Sequence, residues 1–410
     1  MTPIKRHVNP LDRQYEHLLS KVMNFGEIKD TRSGRVKSIF GEQLKFNLKD
    51  GFPLVTTKKM YTKGIIHELL WFLQHPYNSN NSMNIEYLVR NNVHIWDDDA
   101  YRWFKQEIAE KFKPKKYLVC LNDDNFGKKP IYEHWIENDL RINDENWLKN
   151  ITKEEFLDLV IQRVEICGQL LSRYRFGDVG KIYGKQWRSF GYNSIDQIGH
   201  VINTLKTNPN DRRMLCLAYN PDQLDDMALP PCHVMIQFHT RKLSEYERWE
   251  IYRKKHNIDP KDIKNISREF RYYNEATDPF RPRKYRLELN KELDADNIPT
   301  MGLSCMWTQR SCDLFLGGPW NIAFYALLTN MISNIVGMEA DKLIWSIGDC
   351  HIYEAHFDAV KEQLSRMGSP ILPRLVIHGE HNSVDDFKFE DFEIVGYEPD
   401  PPIKAPLLVG

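Results

Sequence analysis

The sequence predicts a large protein of mixed helix and strand, on three observations. Residues 12–26 carry Leu18, Leu19, Val22 and Met23 on one helical face, the spacing of an amphipathic helix. The segments Ser38–Phe46 and Val234–Phe238 alternate apolar and polar residues with period two, as half-buried strands do. The chain of 410 residues, 41% hydrophobic, is long enough for a large core in one big domain or two ordinary ones.

In chain order, the first helix leads to an Arg- and Gly-containing turn, Asp30–Arg35, and then to the strand Ser38–Phe46. The run Ile65–Leu73 reads as a buried helix. Within it Glu68 has Gly64, Ile65, Trp71 and Phe72 at helical spacing, so it faces apolar neighbours. Desolvation there raises a carboxyl pKa and makes the group a usable proton donor and acceptor. A solvent-edge glutamate on an apolar helix fits the same pattern. Residues 104–174 turn polar, with a helical stretch near Glu154–Ser172, and read as an insertion. Dense aromatic sequence returns at Ile182–Arg188, and a helix follows at Ile195–Leu205. Arg212 and Arg213 then precede the strand-like Met214–Tyr219. Neighbouring residues on a strand face opposite ways, so the two arginines share one pocket of their own chain only if the strand begins after them. One anionic target across an interface is the alternative.

Pro230-Pro231 makes a rigid turn that delivers Cys232 and His233 to the start of a strand. A thiol so held, beside an imidazole, suits nucleophilic catalysis, although a small buried cysteine would look the same. A second polar block spans residues 241–297. Its stretches Arg268–Tyr273 and Arg281–Arg286 interleave basic and aromatic residues, a pattern that can bind single-stranded nucleic acid. A solvated hairpin extension with compensating acids is the preferred reading. After it come Ser304–Asp313, a mostly apolar helix ending at Gly337, and His351 with Tyr353, which share a face at i, i+2 in an extended segment. The tail, Pro401–Gly410, is apolar and proline-stiffened, and is expected to close onto something.

The formal net charge of -1 gives no global reason to expect nucleic acid or an acidic membrane as partner. Seven cysteines without metal-like pairing point to a reducing compartment, with neither a disulfide framework nor a metal. With no signal peptide and no membrane-length apolar run, the expectation is a cytoplasmic protein, in a host's cytoplasm if the source is viral.

Taken together, Gly51–Lys59, the helix around Glu68, Ile95-Trp96-Asp97, Tyr183–Arg188, Asp211-Arg212-Arg213, Pro231-Cys232-His233, Gln309–Asp313, Asn321, His351 with Tyr353, and Pro402–Pro406 resemble the thymidylate synthase family, in family order. The resemblance covers everything except the two polar blocks. It implies an α/β (α+β) fold, one catalytic domain over residues 1–410 with insertions at 104–174 and 241–297, built on a large mixed sheet with surrounding helices and dimerised through the sheet face. It also implies transfer of one carbon from 5,10-methylenetetrahydrofolate, a co-substrate, to C5 of dUMP. Cys232 would add to C6 of the pyrimidine and Glu68 would shuttle protons through ordered water, with Tyr183 and Asp313 also at catalytic positions. Arg310, Ser311 and Arg32 would hold the phosphate, with Arg212 and Arg213 supplied by the partner, and an arginine nearby should lower the Cys232 pKa. His351 and Tyr353 would take the sugar hydroxyl, and His233 and Gln309 also fall at substrate positions. Lys58, Trp96, Asp313, Gly317, Trp320 and Val409 fall on the folate side, where the tail would close and exclude water. Asn321 can donate to O4 and accept from N3–H of uracil, which favours dUMP over dCMP, although an asparagine there could also cap the following helix.

The sequence departs from the family's pattern in places. Its Asp30–Arg35 turn is one residue shorter, leaving open whether Arg32 or Arg35 meets the phosphate. Trp320 stands where phenylalanine is usual and Gly318 where a branched apolar residue is usual, and the tail is one residue longer. These changes map to the side that decides whether hydride makes a methyl group or water a hydroxymethyl group. The expected activity is thymidylate synthase; the alternative is a deoxyuridylate hydroxymethylase of the kind phages use to modify DNA.

Overall fold

The computed structural model describes residues 9–76, 82–109, 114–118, 145–168, 174–258 and 283–408. Helix α1 (Pro10–Phe25) starts two residues before the periodicity predicts. Pro10 sits at its first position and the Asn9 side chain accepts the Asp12 N–H. The helix buries Leu11, Tyr15, Leu18, Leu19 and Val22. Strands β1 (Glu27–Thr31) and β2 (Gly34–Asn47) form a hairpin in which Thr31 pairs with Gly34, so Arg32 and Ser33 are the two turn residues. Gly34 has φ of 123°, a conformation side chains disfavour. Helix α2 (Thr62–Phe72) is buried on almost every side, and α3 (Asp97–Trp103) follows.

The first polar block corrects one expectation. Its helix α4 (Lys153–Ile161), opened by a Thr152–Glu155 capping box, ends eleven residues before the expected Ser172. Arg163 adopts φ of 58° and the chain enters a strand at Glu165–Gly168. Phe156 and Val160 belong to the main core, Phe156 packing on Phe104 at 5.2 Å between ring centroids. Helices α5 (Tyr183–Arg188) and α6 (Gln197–Thr207) lead to β3 (Leu215–Leu217), and the Pro230-Pro231 turn to β4 (His233–Lys242).

In the second polar block, α7 (Glu245–Lys255) and α8 (Arg283–Ala295) share a separate small core of Trp249, Leu289, Leu293 and Ile298. Glu247 and Asp341 both hold Arg241 and Lys49, tying α7 to the main sheet. Arg268–Tyr273 lies outside the described residues.

Strand β5 (Met301–Asp313), helix α9 (Gly317–Val336) and strand β6 (Glu339–Tyr353) form a crossover unit. β5 and β6 are parallel, and such a pair requires a long connection. α9 ends at Gly337, which is left-handed at φ 65° as a C′ glycine should be. Helix α10 (Phe357–Ser365) follows. The six strands lie in the order β1-β2-β6-β5-β4-β3, antiparallel except for β6-β5. This is the large mixed sheet with surrounding helices that the resemblance implies.

α9 packs on one face of the sheet, where Trp307 and Trp345 stack at 5.3 Å and Trp307 and Tyr325 at 4.7 Å. On the other face two cross-strand rows remain partly or fully exposed. They are Leu215-Gln237-Met306-Ile344 and Leu217-Met235-Thr308-Ser346. Among the described residues no helix is long and apolar enough to cross a membrane.

Candidate active site

Cys232 sits between the proline turn and β4, fixed by its backbone. Its N–H donates to the Tyr183 hydroxyl at 2.8 Å, and its carbonyl accepts the Arg310 N–H at 2.9 Å. The Arg310 guanidinium donates to the carbonyls of Pro231 and Pro230, at 2.9 and 2.8 Å. The turn that cannot donate is thus held through its acceptors. The thiol opens on a cleft of about 430 Å³. Its other walls come from distant parts of the chain: Arg32 from the β1–β2 turn, Arg310, Ser311 and Asp313 from β5, Gly317 from α9, and His351 with Tyr353 from β6. Leu407 and Leu408 bring the tail to the same cleft.

The antiparallel register separates the two candidate arginines of the hairpin. Asp30 pairs with Arg35 across the strands, and their charges meet at 3.1 Å. Arg32, at the tip, lines the cleft. His351 Nδ1 meets Asp349 Oδ1 at 3.0 Å, and Tyr353 packs edge-on against the imidazole at 5.1 Å.

One expectation about Cys232 needs correction. Burial pushes its thiol above the ordinary value. Arg310 and Arg32 pull the other way, but Asp99 adds to the rise and the net shift is upward. The arginines reduce the desolvation cost without overcoming it.

A second group lies behind the cleft. Glu68 is half-buried, and each carboxylate oxygen accepts one indole N–H: Trp96 at 2.8 Å on Oε1 and Trp320 at 2.6 Å on Oε2. Burial lifts its pKa to about 6, opposed by those two hydrogen bonds. Tyr183 stacks on Phe72 at 4.7 Å and stands edge-on to Trp96 at 6.2 Å, bridging Glu68's surroundings to Cys232. His233 is kept neutral by burial, its pKa lowered to about 3, and contacts the Asn321 carboxamide. Asn321 lies inside α9, whose N-cap is Leu316, so it does not cap the helix.

Gln309 does not reach the cleft. Its Oε1 accepts from Trp307, Trp345 and Asn321 at 3.4, 3.1 and 3.3 Å, and its amide donates to the Ser311 carbonyl. Lys58 is buried, donates to the Phe315 carbonyl, and lies 3.6 Å over the Phe315 ring; burial lowers its pKa to about 7 against the pull of Asp313. Arg212 and Arg213 are exposed and do not line this chain's own cleft, although β3 begins only at Leu215; Arg213 pairs with Asp211. Val409 lies outside the described residues.

Sequence reasoning missed two residues. Asp99 is nearly buried, lines the cleft, and binds Arg102 at 2.6 Å; burial raises its pKa. Its signal was the triplet Asp97-Asp98-Asp99, which reads as ordinary helix N-terminal acid. His356 is fully buried, with Nδ1 3.6 Å from Asp313 Oδ1 and Nε2 2.9 Å from the Pro406 carbonyl. It connects the cleft to the tail, and nothing in its local sequence marks it.

A cysteine at a rigid turn, cations and hydroxyls able to hold a phosphorylated ligand, and an apolar closing tail define an enzyme cleft for a nucleotide-sized anion. The chain matches the family description Thymidylate synthase over residues 13–252 and 285–409. It is 34% identical over 419 residues to the thymidylate synthase of Candida albicans, with 98% of each chain covered. The chain belongs to the thymidylate synthase family. Membership implies an enzyme of nucleotide biosynthesis that acts on dUMP, with methylenetetrahydrofolate as co-substrate.

Proposed function

We propose that the chain transfers the methylene of methylenetetrahydrofolate to C5 of dUMP and delivers hydride to it, releasing dTMP and dihydrofolate. The observation that supports one-carbon transfer to dUMP is the meeting of Cys232 with Arg32, Arg310, Ser311, His351 and Tyr353 in one cleft. Cys232, as thiolate, adds to C6 and makes C5 a nucleophile. The arginines and Ser311 hold the phosphate, and His351 with Tyr353 the sugar hydroxyl. Asp313 and Gly317 face the folate, over which the tail closes. Glu68 moves protons to and from the ring.

The uracil preference follows from a chain of fixed dipoles. Two indole donors orient Gln309 Oε1 toward the Asn321 amide nitrogen. That leaves the Asn321 carboxamide with a donor and an acceptor in set places. A reversed carboxamide would put oxygen against oxygen, so the ring it meets should be uracil. We further propose a homodimer through the exposed sheet face, in which Arg212 and Arg213 complete the partner's phosphate site.

The second reading is hydroxymethyl transfer with water in place of hydride. Asp99 supports it, as a cleft carboxylate beside Cys232 able to orient water. Incubation of the protein with dUMP and methylenetetrahydrofolate separates the two. Dihydrofolate absorbance with a dTMP mass supports the first; hydroxymethyl-dUMP without dihydrofolate supports the second. Neither product would sink the assigned activity. A protein whose role is nucleic-acid binding would instead show salt-sensitive single-strand binding that survives loss of Cys232.

A further inference from the structure

We propose that Trp320 is a positioning residue for proton transfer: with Trp96 it clamps Glu68 in a two-indole grip that fixes the carboxylate's orientation. The inference rests on the reading of Glu68 as the proton-shuttling group. It starts from geometry. Each Glu68 oxygen accepts one indole N–H, at 2.8 and 2.6 Å, and the two donors come from different elements, Trp96 before α3 and Trp320 on α9. A carboxylate held by one donor can still rotate about its terminal torsion, whereas two donors on different oxygens from different elements fix that torsion.

The helix carrying Glu68 is built around this contact. Gly64, one turn earlier on α2, lies directly under the Trp320 ring, and a Cβ there would come within 2.5 Å of Trp320 Cη2. A glycine inside a helix is unfavourable, so the space it leaves has a structural use, and the Trp320 indole and the Tyr61 ring occupy it together. Phenylalanine at 320 would fill part of that space but offer no donor. Trp96 is set independently, edge-on to Trp71 and Phe72 at 5.3 and 6.2 Å.

The clamp acts on a group with few other electrostatic influences. The titratable groups coupled to Glu68 from neighbouring elements are the phenols Tyr183 on α5 and Tyr325 on α9, both kept neutral by burial. Among the described residues, no charged side chain contributes to the Glu68 shift, which balances burial against the two indoles. Loss of one donor should therefore raise the Glu68 titration midpoint and leave the carboxylate free to turn. It should not change how the nucleotide's phosphate is held.

The test uses the full-length enzyme with Trp320→Phe, Trp96→Phe and Gly64→Ala. Gly64→Ala displaces the indole without deleting it, and provides a second route if Trp320→Phe fails to fold. Two quantities are read. The first is the Glu68 titration in the free enzyme, followed by the infrared band of the protonated carboxyl and assigned by its loss in Glu68→Gln. The second is the pH profile of C5-tritium release from labelled dUMP. The expected result for Trp320→Phe is an infrared midpoint raised by about one pH unit. The acid limb of kcat should shift by the same amount, with KM for dUMP changed less than about twofold. An unmoved midpoint overturns the clamp. A moved midpoint with an unmoved kcat limb overturns its role in proton transfer. Absence of tritium release from the parent enzyme overturns the assigned reaction, and the role with it, while the infrared midpoint still reports whether the clamp exists.

Discussion

Cys232 is held by everything around its sulfur. Tyr183 takes its N–H, Arg310 its carbonyl, and the same guanidinium the two proline carbonyls before it. Cys232→Ser should therefore keep the fold and bind dUMP within a few-fold of the parent. C5-tritium release should fall by on the order of 10³-fold or more, because the nucleophile is gone and its position is not. Glu68→Gln should lower kcat by about 10²–10⁴-fold, the usual range for a lost general acid–base. Its effect on stability has a definite sign. A carboxyl whose folded pKa is raised from 4.5 to about 6 opposes folding once ionised. The parent should lose more stability than Glu68→Gln as pH rises through that window, since the buried Asp178, also raised to about 6, titrates in both. Melting temperatures of both at pH 4 and pH 8 check this.

At the scale of elements, two contacts decide how the cleft is framed. The first is α2 against α9. Alanine at position 64 gains about 1 kcal/mol of helix propensity, but overpacking against Trp320 costs about 1–3 kcal/mol. Gly64→Ala should thus destabilise the parent and stabilise a Trp320→Phe background, where the half-exposed Tyr61 can swing aside. A double-mutant cycle of unfolding free energies reads this sign change. The second contact is His356, the N-cap residue of α10, against the tail. Burial lowers the His356 pKa, but Asp313 and the Pro406 carbonyl raise it further, for a net upward shift. The charged latch is then fully present below the ordinary histidine value of 6.5 and lost as pH rises through the higher folded value. KM for the folate should therefore rise with pH in the parent. In His356→Asn it should be higher throughout and flat, with KM for dUMP little changed.

For the whole molecule, the exposed rows of the sheet, Leu215-Gln237-Met306-Ile344 and Leu217-Met235-Thr308-Ser346, place apolar side chains across four strands at the edge where Arg212 and Arg213 stand. A broad, flat, part-apolar face of this kind suits a second copy of the chain. Leu217→Glu should lower the sedimenting mass to that of a monomer and remove activity with it. Mixing inactive Arg212→Ala/Arg213→Ala chains with inactive Cys232→Ser chains should restore about a quarter of parental activity. Half the dimers are then mixed, and each mixed dimer has one complete site. Recovery of no activity in a mixture shown to exchange subunits would falsify the shared site.

Local order was legible in the sequence because it depends on near neighbours. The α1 face, the β2 and β4 alternation, the proline turn before Cys232 and the Gly337 stop all follow from periodicity and backbone sterics, and all stand in the structure. The desolvation of Glu68 was legible too, since its helical neighbours supply the apolar surroundings. What tertiary structure alone decided depends on contacts between distant residues. The hairpin register chose Arg32 over Arg35 for the cleft, and burial outweighed arginine at the Cys232 thiol. Long-range packing also turned Gln309 inward to orient Asn321, brought Asp99 and His356 to the site, and set Trp320 on Glu68 across 252 residues of chain. Sequence spacing carries a side chain's propensity and its local face; it does not carry the dielectric or the partner that folding brings to it.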